Sequence, residues 1–542
     1  MKTLVSLILL TFLTATLTPV HSRDVPDAIK SKLEQLAVDK DLKIAGEKIH
    51  SIEYITNLYQ KNDYHPFWNK PEYILDAISG IRDSYNDGLL PGDYHLIAIT
   101  TLQSELTSPR GQTLPGPDQF ADLDLLLTDG IIFLANHLLR GKIDPVSLLP
   151  TWNYGYAPIP DLNALTLKGH ITAREIPARL KELRPDMNLY DSLLTALEKY
   201  RRIAAQGGWP AIAGGGKIEP GATDSRIPAI RNRLRLTGEL TLRDSISSAK
   251  YDEPLEQDIK AFQASHGQFV DGIIGAGTFR ELNVPVEKRI ESIRINLERV
   301  RWVAGNMPRK YILVNIAAFW LMMVDSNQVV HYTPVVVGKS LSKTPVFRDK
   351  MRYIEFNPTW TQPRSIVKNE TIPKLKKDST YLEKNHMVLL DSKGNLIETS
   401  SLDFKNLSPS KFPYIVRQEP GPWNSLGEMK FMFPNEYDIY LHDTPSKSLF
   451  SRASRAYSHG CIRVKNPVDL AVKLLETTDH DRKKIMEILK THETTRVNLP
   501  EPLDILLLYW TCGIDRNNRL FFVPDIYERD ADVLRELDQV MR

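Results

Sequence analysis

Tyr437-Asp438-Ile439-Tyr440-Leu441-His442-Asp443-Thr444-Pro445, followed by Ser458-His459-Gly460-Cys461-Ile462-Arg463-Val464, is the stretch from which the rest of the chain can be read. Apolar and polar residues alternate from 437 to 442, the period of a half-buried strand, so His442 shares a face with Tyr440 and Asp438. The second segment sets a cysteine directly after a glycine and two positions after a histidine. Sulfur is a good nucleophile only as thiolate, so a reactive Cys461 needs an imidazole or another electropositive neighbour. His442 and His459 are both available, and the residues alone leave open which one is the base. Gly460 permits a tight backbone and close approach of a substrate. N–H groups at such a turn can face a developing oxyanion.

Cysteine usage sharpens the question. Cys461 and Cys512 are the only two in 542 residues, and a disulfide between them is the plain alternative to a free nucleophile. Zinc is a second, since His442, Asp443, His459 and Cys461 offer N, O and S donors, although the usual paired-ligand spacings are missing. A buried turn with an inert thiol is the third. The flanking residues favour a free Cys461 and no metal.

Outward from this point the texture changes. Tyr311-Ile312-Leu313-Val314-Asn315-Ile316, residues 328–337 and Met351-Arg352-Tyr353-Ile354-Glu355-Phe356 read as strands with few long helices between them, which predicts a mostly β catalytic domain. From 363 to 427 little regular pattern is visible; so long a stretch inside a compact domain reads as a lid or a substrate-gripping insertion. A helix over 290–303 leads into the β region. Before it, 224–285 shows apolar residues three and four apart, and Asp271-Gly272-Ile273-Ile274-Gly275-Ala276-Gly277-Thr278 reads as a turn with Thr278 capping a closing helix. The Gly/Pro-rich stretch from 207 to 221 is a linker rather than a phosphate loop, because no Lys-Ser/Thr follows it. From 29 to 197 the pattern is mainly helical, clearest over 121–139, and stops at Arg140-Gly141-Lys142-Ile143-Asp144-Pro145. That region shows no nucleophile, metal-ligand cluster or phosphate loop and is read as scaffold.

The amino terminus opens with Met1-Lys2, a short apolar run over 4–17 and small residues near Val20-His21-Ser22, the form of a secretory signal peptide over 1–22. The run is too short to span a bilayer comfortably; an uncleaved anchor is the alternative. The length implies several domains, and a formal net charge of +2 gives no general argument for nucleic acid.

His442, its spacer and Ser458-His459-Gly460-Cys461-Ile462-Arg463 resemble the signature of the L,D-transpeptidase family with its YkuD-type catalytic fold. Phe431-Met432-Phe433-Pro434-Asn435, Asn357-Pro358, Leu508-Tyr509-Trp510-Thr511, Arg140-Gly141-Lys142 and Gly207-Gly208-Trp209-Pro210 are similar to its long, scaffold-bearing branch. Phe262-Gln263, Asp271-Gly272, Ile274-Gly275 and Thr278 resemble a type 1 peptidoglycan-binding module. The resemblance implies a multi-domain α+β chain. Its parts would be a mainly helical scaffold over 23–220, a three-helix peptidoglycan-binding-like module over 221–288 and a linker helix over 289–309. A mostly β YkuD-type catalytic domain over 310–500 would follow, with a capping insertion over about 363–427, and then a segment over 501–542 packing on the scaffold.

The resemblance also implies roles. Cys461 would be the nucleophile and His442 the general base, oriented by the backbone carbonyl of Asp443. His459 and Gly460 would shape the oxyanion region with the Cys461 amide. Arg463, Ser458, Tyr440, Asp443 and Trp423 would bind substrate. The implied reaction joins two peptidoglycan stems by a 3→3 cross-link through a cysteine thioester, with release of terminal D-Ala and no metal or organic cofactor. The implied partners are a donor tetrapeptide, an acceptor amine and, as covalent inhibitors, carbapenems; neither nucleic acid nor lasting membrane insertion is expected, and the periplasm is the expected location. Other readings are a non-catalytic wall-binding protein, the same chemistry attaching protein to wall, and L,D-carboxypeptidase hydrolysis. Cys512 receives no role.

Overall fold

A computed structural model describes residues 24–107, 116–155, 175–241, 247–405 and 412–541. The stretch read as a signal peptide lies outside the described residues. Among the described residues no helix is long and apolar enough to cross a membrane. The architecture is multi-domain α+β, with a mostly helical amino-terminal part and a β-rich carboxyl-terminal part.

Helix α1 (Pro117–Arg140) is the axis of the helical part. Proline at its first turn pre-sets the backbone, and apolar residues surround it on nearly all sides, as in a helix buried in a core. Two of its carboxylates do work that apolar residues cannot. Asp124 accepts from the Trp68 and Phe67 amides at 2.8 and 3.1 Å, and Asp129 accepts from the Ser51 and His50 amides at 2.8 and 3.0 Å. Buried backbone donors that no helix or strand satisfies thus find partners on α1.

Helix α2 (Asn188–Ala205) packs along the linker helix. The module between them consists of α3 (Ile227–Thr237), α4 (Glu253–Ser265) and α5 (Ala276–Leu282) around Ile230, Leu234, Leu255, Ile259, Phe262 and Leu282. Thr278, expected as the N-cap of α5, lies inside its first turn; Gly275 takes the cap position. The buried Thr278 hydroxyl instead meets the Gln263 side chain at 3.3 Å, so tertiary contact decides its role. The linker helix is α6 (Val286–Ala304), two-thirds buried between scaffold and sheet.

The carboxyl-terminal part is built on nine strands: β1 (Lys310–Asn315), β2 (Trp320–Asp325), β3 (Gln328–Gly338), β4 (Phe347–Phe356), β5 (Met429–Met432), β6 (Leu441–His442), β7 (Ala456–Ser458), β8 (Ile462–Val464) and β9 (Thr495–Leu508). Their order is β7-β3-β8-β6-β5-β4-β9-β1-β2, and β2 also pairs with β3, so the sheet closes on itself. Closure leaves few free edges. The chain does not divide at residue 500, where a boundary was expected, because β9 runs through it between β4 and β1. Helix α7 (Asp530–Asp538) then returns to the scaffold, where the buried Lys142 ammonium donates to Asp93 at 2.7 Å and to the Leu537 and Gln539 carbonyls at 2.8 Å.

Residues 363–427 were expected to show little regular structure. The described residues of this stretch form a small folded unit with three short strands, Met387–Leu390, Leu396–Ile397 and Ile415–Gln418, joined by Trp360–Thr361 just before it, and a helical run from Arg364 whose middle, Val367–Thr371, is π-helical. Val367, Ile372, Leu375, Leu389 and Val416 give it a core of its own.

Candidate active site

The site is assembled by strand register. Parallel pairing sets Leu441 opposite Ile462 and His442 opposite Arg463. Leu441 and Ile462 are fully buried in the core, so by the two-residue alternation Tyr440, His442, Cys461 and Arg463 share the opposite face. The Tyr440 and His442 rings meet edge to face at 5.7 Å. Antiparallel pairing of Lys430 with His442 adds a cation to the same face, its ammonium 4.2 Å from the centre of the Tyr440 ring. The alternation at 437–442 had predicted a longer strand than the observed β6. The Asn435 side chain accounts for this: it donates to the Phe433 and Ile439 carbonyls and accepts from the Tyr437 and Ile439 amides, holding 435–439 as a loop.

Cys461 is half-buried, and its sulfur lies 3.5 Å from the Asp438 carbonyl. Both Cys461 and Cys512 are free thiols. Burial pushes the Cys461 thiol up, against the Tyr440 backbone and phenol hydrogen bonds to sulfur and the positive charge of Lys430. Cys512 is wholly buried in a short hairpin and pushed up further.

His442 is buried, and its Nδ1 contacts the Asp443 carbonyl. A carbonyl only accepts, so Nδ1 carries the proton and Nε2 is the basic nitrogen. Burial, then the Arg463 charge, lowers the imidazole to about 3, outweighing the pull of the Asp443 and Leu426 carbonyls. The Asp443 carboxylate points elsewhere, accepting from the Glu428 amide at 3.1 Å and pairing with Lys447. Its approach requires glycine at 427: that residue has φ +63°, and a Cβ there would lie 2.5 Å from Asp443 Cγ.

Ser458 and Gly460 build the turn. The buried Ser458 hydroxyl donates to the Cys461 carbonyl at 2.5 Å and accepts from the Gly460 amide at 3.0 Å. Gly460 has φ +124°, and its carbonyl accepts from Thr344 Oγ1 at 2.7 Å. The Gly460 amide is therefore engaged within the turn. His459 turns away from the sheet: its Nε2 lies 2.9 Å from Glu370 in the π-helical run and 3.4 Å from Lys339 Nζ. It joins the 363–427 unit to the turn. Trp423, 43 % exposed, stacks on His386 at 3.8 Å within that unit.

Arg463 is largely buried, its Nε has no hydrogen-bond partner, and burial lowers it. Lys430 and Glu370 were missed in the sequence. No local signal marks either, because strand register brings one to the site and the folding of the 363–427 unit brings the other. Among the described residues no three His, Cys, Asp or Glu side chains converge as a metal-ligand set.

Residues 309–487 match the family model of the YkuD L,D-transpeptidase catalytic domain, and residues 53–197 match that of a Scaffold domain. A Haemophilus influenzae protein provisionally named an L,D-transpeptidase is 32% identical over 243 residues, covering 45% of this chain and 49% of that protein. The match thus spans about half the length of that relative. Among solved structures, an L,D-transpeptidase fragment from Xylanimonas cellulosilytica is 13% identical, covers 55% of this chain and 99% of its own, and has a TM-score of 0.16. A structure described as the Ldtfm-avibactam carbamoyl enzyme is 12% identical over 58% of this chain and 98% of its own, with a TM-score of 0.18. At such scores these two likenesses carry no weight for function.

Proposed function

We infer, for a chain that carries an L,D-transpeptidase catalytic domain and a Scaffold domain, that it is an exported enzyme joining peptidoglycan stems by 3→3 cross-links through a Cys461 thioester. The observation that carries this reading is the shared face of β6 and β8. It gathers a half-buried thiol, a phenol on that thiol, an imidazole with its basic nitrogen free of the proton, and a guanidinium whose buried Nε has no hydrogen-bond partner.

The steps follow acyl-transfer chemistry. As Cys461 Sγ attacks the carbonyl of the third stem residue, its proton passes to His442 Nε2. The Cys461 amide faces the oxyanion, and Tyr440 and Lys430 steady the sulfur as charge develops on it. Collapse breaks the amide bond, and the leaving D-Ala amine takes the proton from His442. A thioester remains. The amine of an acceptor stem attacks it, gives its proton back through His442, and the thiol is restored. Attack by water instead gives hydrolysis. The thioester conserves the energy of the cleaved amide, so no nucleotide is needed. Arg463 is assigned to a stem carboxylate, which its planar fork suits.

The test is intact mass after incubation with a carbapenem, for wild type and Cys461→Ala, followed by assay on disaccharide-tetrapeptide. An adduct on wild type alone, with a dimer linked between third residues, is the expected result. A Cys461→Ala protein that still took up the drug and formed dimers would overturn the reading.

A further inference from the structure

A second recess lies away from the shared face, where the three-helix module meets the sheet. Its volume is about 690 Å³, within the range of ligand-binding clefts. The module is held there: its His266 stacks 5.8 Å from Phe522, and Arg289 of α6, which donates to the module's Glu281 at 2.8 Å, sits 4.7 Å over the same ring. One wall carries Phe269, 57 % exposed; the others carry Phe319, Trp320 and Tyr332.

The charges in the cleft are unbalanced. Arg452, Arg455, Arg516 and Arg519 line it, against one acid, Asp515, which Arg519 already pairs at 2.8 Å. None of the other three has a carboxylate partner among the described residues. Arg452 donates to the Tyr457 hydroxyl at 3.2 Å, Arg455 donates to the Phe319 and Arg452 carbonyls at 3.1 Å, and Arg516 lies 4.9 Å over the Tyr332 ring. The exposed Arg452 and Arg516, beside the exposed Phe269 ring and the half-buried Tyr332 ring, fit a ligand with repeated carboxylates and apolar faces, whereas Arg455 is spent on backbone carbonyls. Pyranose rings supply such faces.

The cleft also leads to the nucleophile. Residues 451–455 of its wall continue directly into β7 and the turn at Gly460. The chain from Arg455 to Cys461 reaches at most about 20 Å, and less with that turn; an extended four-residue stem reaches about 13 Å. The Ile526 carbonyl on the opposite wall accepts from Ser340, next to Lys339 at His459.

We propose that this cleft binds a peptidoglycan glycan strand through the carboxylates of its peptide stems, so that a neighbouring stem on the same strand is delivered to Cys461. The proposal rests on the function inferred above. It is tested in full-length Cys461→Ala protein, where no turnover intervenes, with soluble glycan strands of several disaccharide-tetrapeptide repeats as the probe. Arg452→Glu with Arg516→Glu is expected to weaken binding at least about tenfold, and Arg452→Lys with Arg516→Lys to retain most of it. If the reversed pair does not fold, the exposed Arg516→Gln alone carries the test, with about a threefold loss expected. Unchanged affinity in a folded variant would overturn the proposal. So would a heparin chain of matched length binding equally well, since the cleft would then be a general polyanion surface. Failure of wild-type Cys461 to acylate would instead remove the function and leave the binding result standing.

Discussion

Burial raises the Cys461 thiol while burial and Arg463 lower His442 to about 3, so near neutral pH both groups are uncharged before substrate arrives. A resting thiolate–imidazolium pair would need the opposite shifts. In the proposed reaction, proton transfer would therefore accompany attack, with His442 as general base rather than as half of a preformed ion pair. The consequence is measurable: alkylation of Cys461 by iodoacetamide should rise with pH through a single midpoint above the ordinary thiol range. A reactive plateau extending down to pH 5 would sink this account. Lys430 pulls the other way, through its charge near sulfur and its seat over the Tyr440 ring. Lys430→Met should move the alkylation midpoint to higher pH and slow the reaction at pH 7 by roughly threefold to tenfold, whereas Lys430→Arg should hold it nearly in place. Identical pH profiles for the two variants would show that the cation does not act on the thiol.

Between elements, the most demanding contact is the fully buried set that locks α6 to the scaffold. Arg301 meets Glu298 at 3.0 Å and the Tyr190 hydroxyl at 2.8 Å and contacts the Asp87 carbonyl, while Glu298 Oε1 accepts from the Ile143 amide at 2.8 Å. Removing one partner of a buried pair leaves the other charge uncompensated. Arg301→Met should therefore cost about 3–5 kcal/mol in urea unfolding, and a loss below 1 kcal/mol would mean that water replaces the guanidinium. This network was invisible in the sequence because its members come from four separate segments. The same holds for Glu370, brought to His459 only by the folding of residues 363–427. The helix over 121–139, the helix over 290–303 and the strands near 311 and 351 were legible, since their apolar periodicity is local. Strand β9 was not. Pro500 and Pro502 argue against an interior strand, and the structure accommodates them at a register shift between Asn498 and Leu503. His442 and Cys461 stood out for the reverse reason: their chemistry is written in short flanking motifs.

Across the whole molecule, buried histidines couple folding to pH. His442 and His137 are each lowered to about 3, and His266 and His50 are also lowered, in every case with burial as the largest cause. Together they span catalytic domain, scaffold and module. Between about pH 6.5 and 3 the unfolded chain holds more protons at these positions than the native one, so stability must fall as pH falls through that window. His442 and His137 should each lose about 2 kcal/mol at pH 5 relative to pH 8. His95 works against the trend. Although burial opposes its charge, Asp129 at 2.9 Å and Glu47 at 3.3 Å raise its pKa. Its contribution is complete below its unfolded value and is lost as pH rises through the folded one. The lowered histidines, His331 among them, outnumber the one raised, which predicts a urea midpoint clearly lower at pH 5 than at pH 7.5. His137→Leu, which removes the imidazole but also the 2.9 Å bond to the Tyr94 hydroxyl, should lower the midpoint at pH 7.5 yet narrow the gap between the two pH values. An equal gap in variant and wild type would mean that His137 binds no more protons unfolded than folded, and the acid sensitivity would then have to come from the other lowered histidines or from carboxylates.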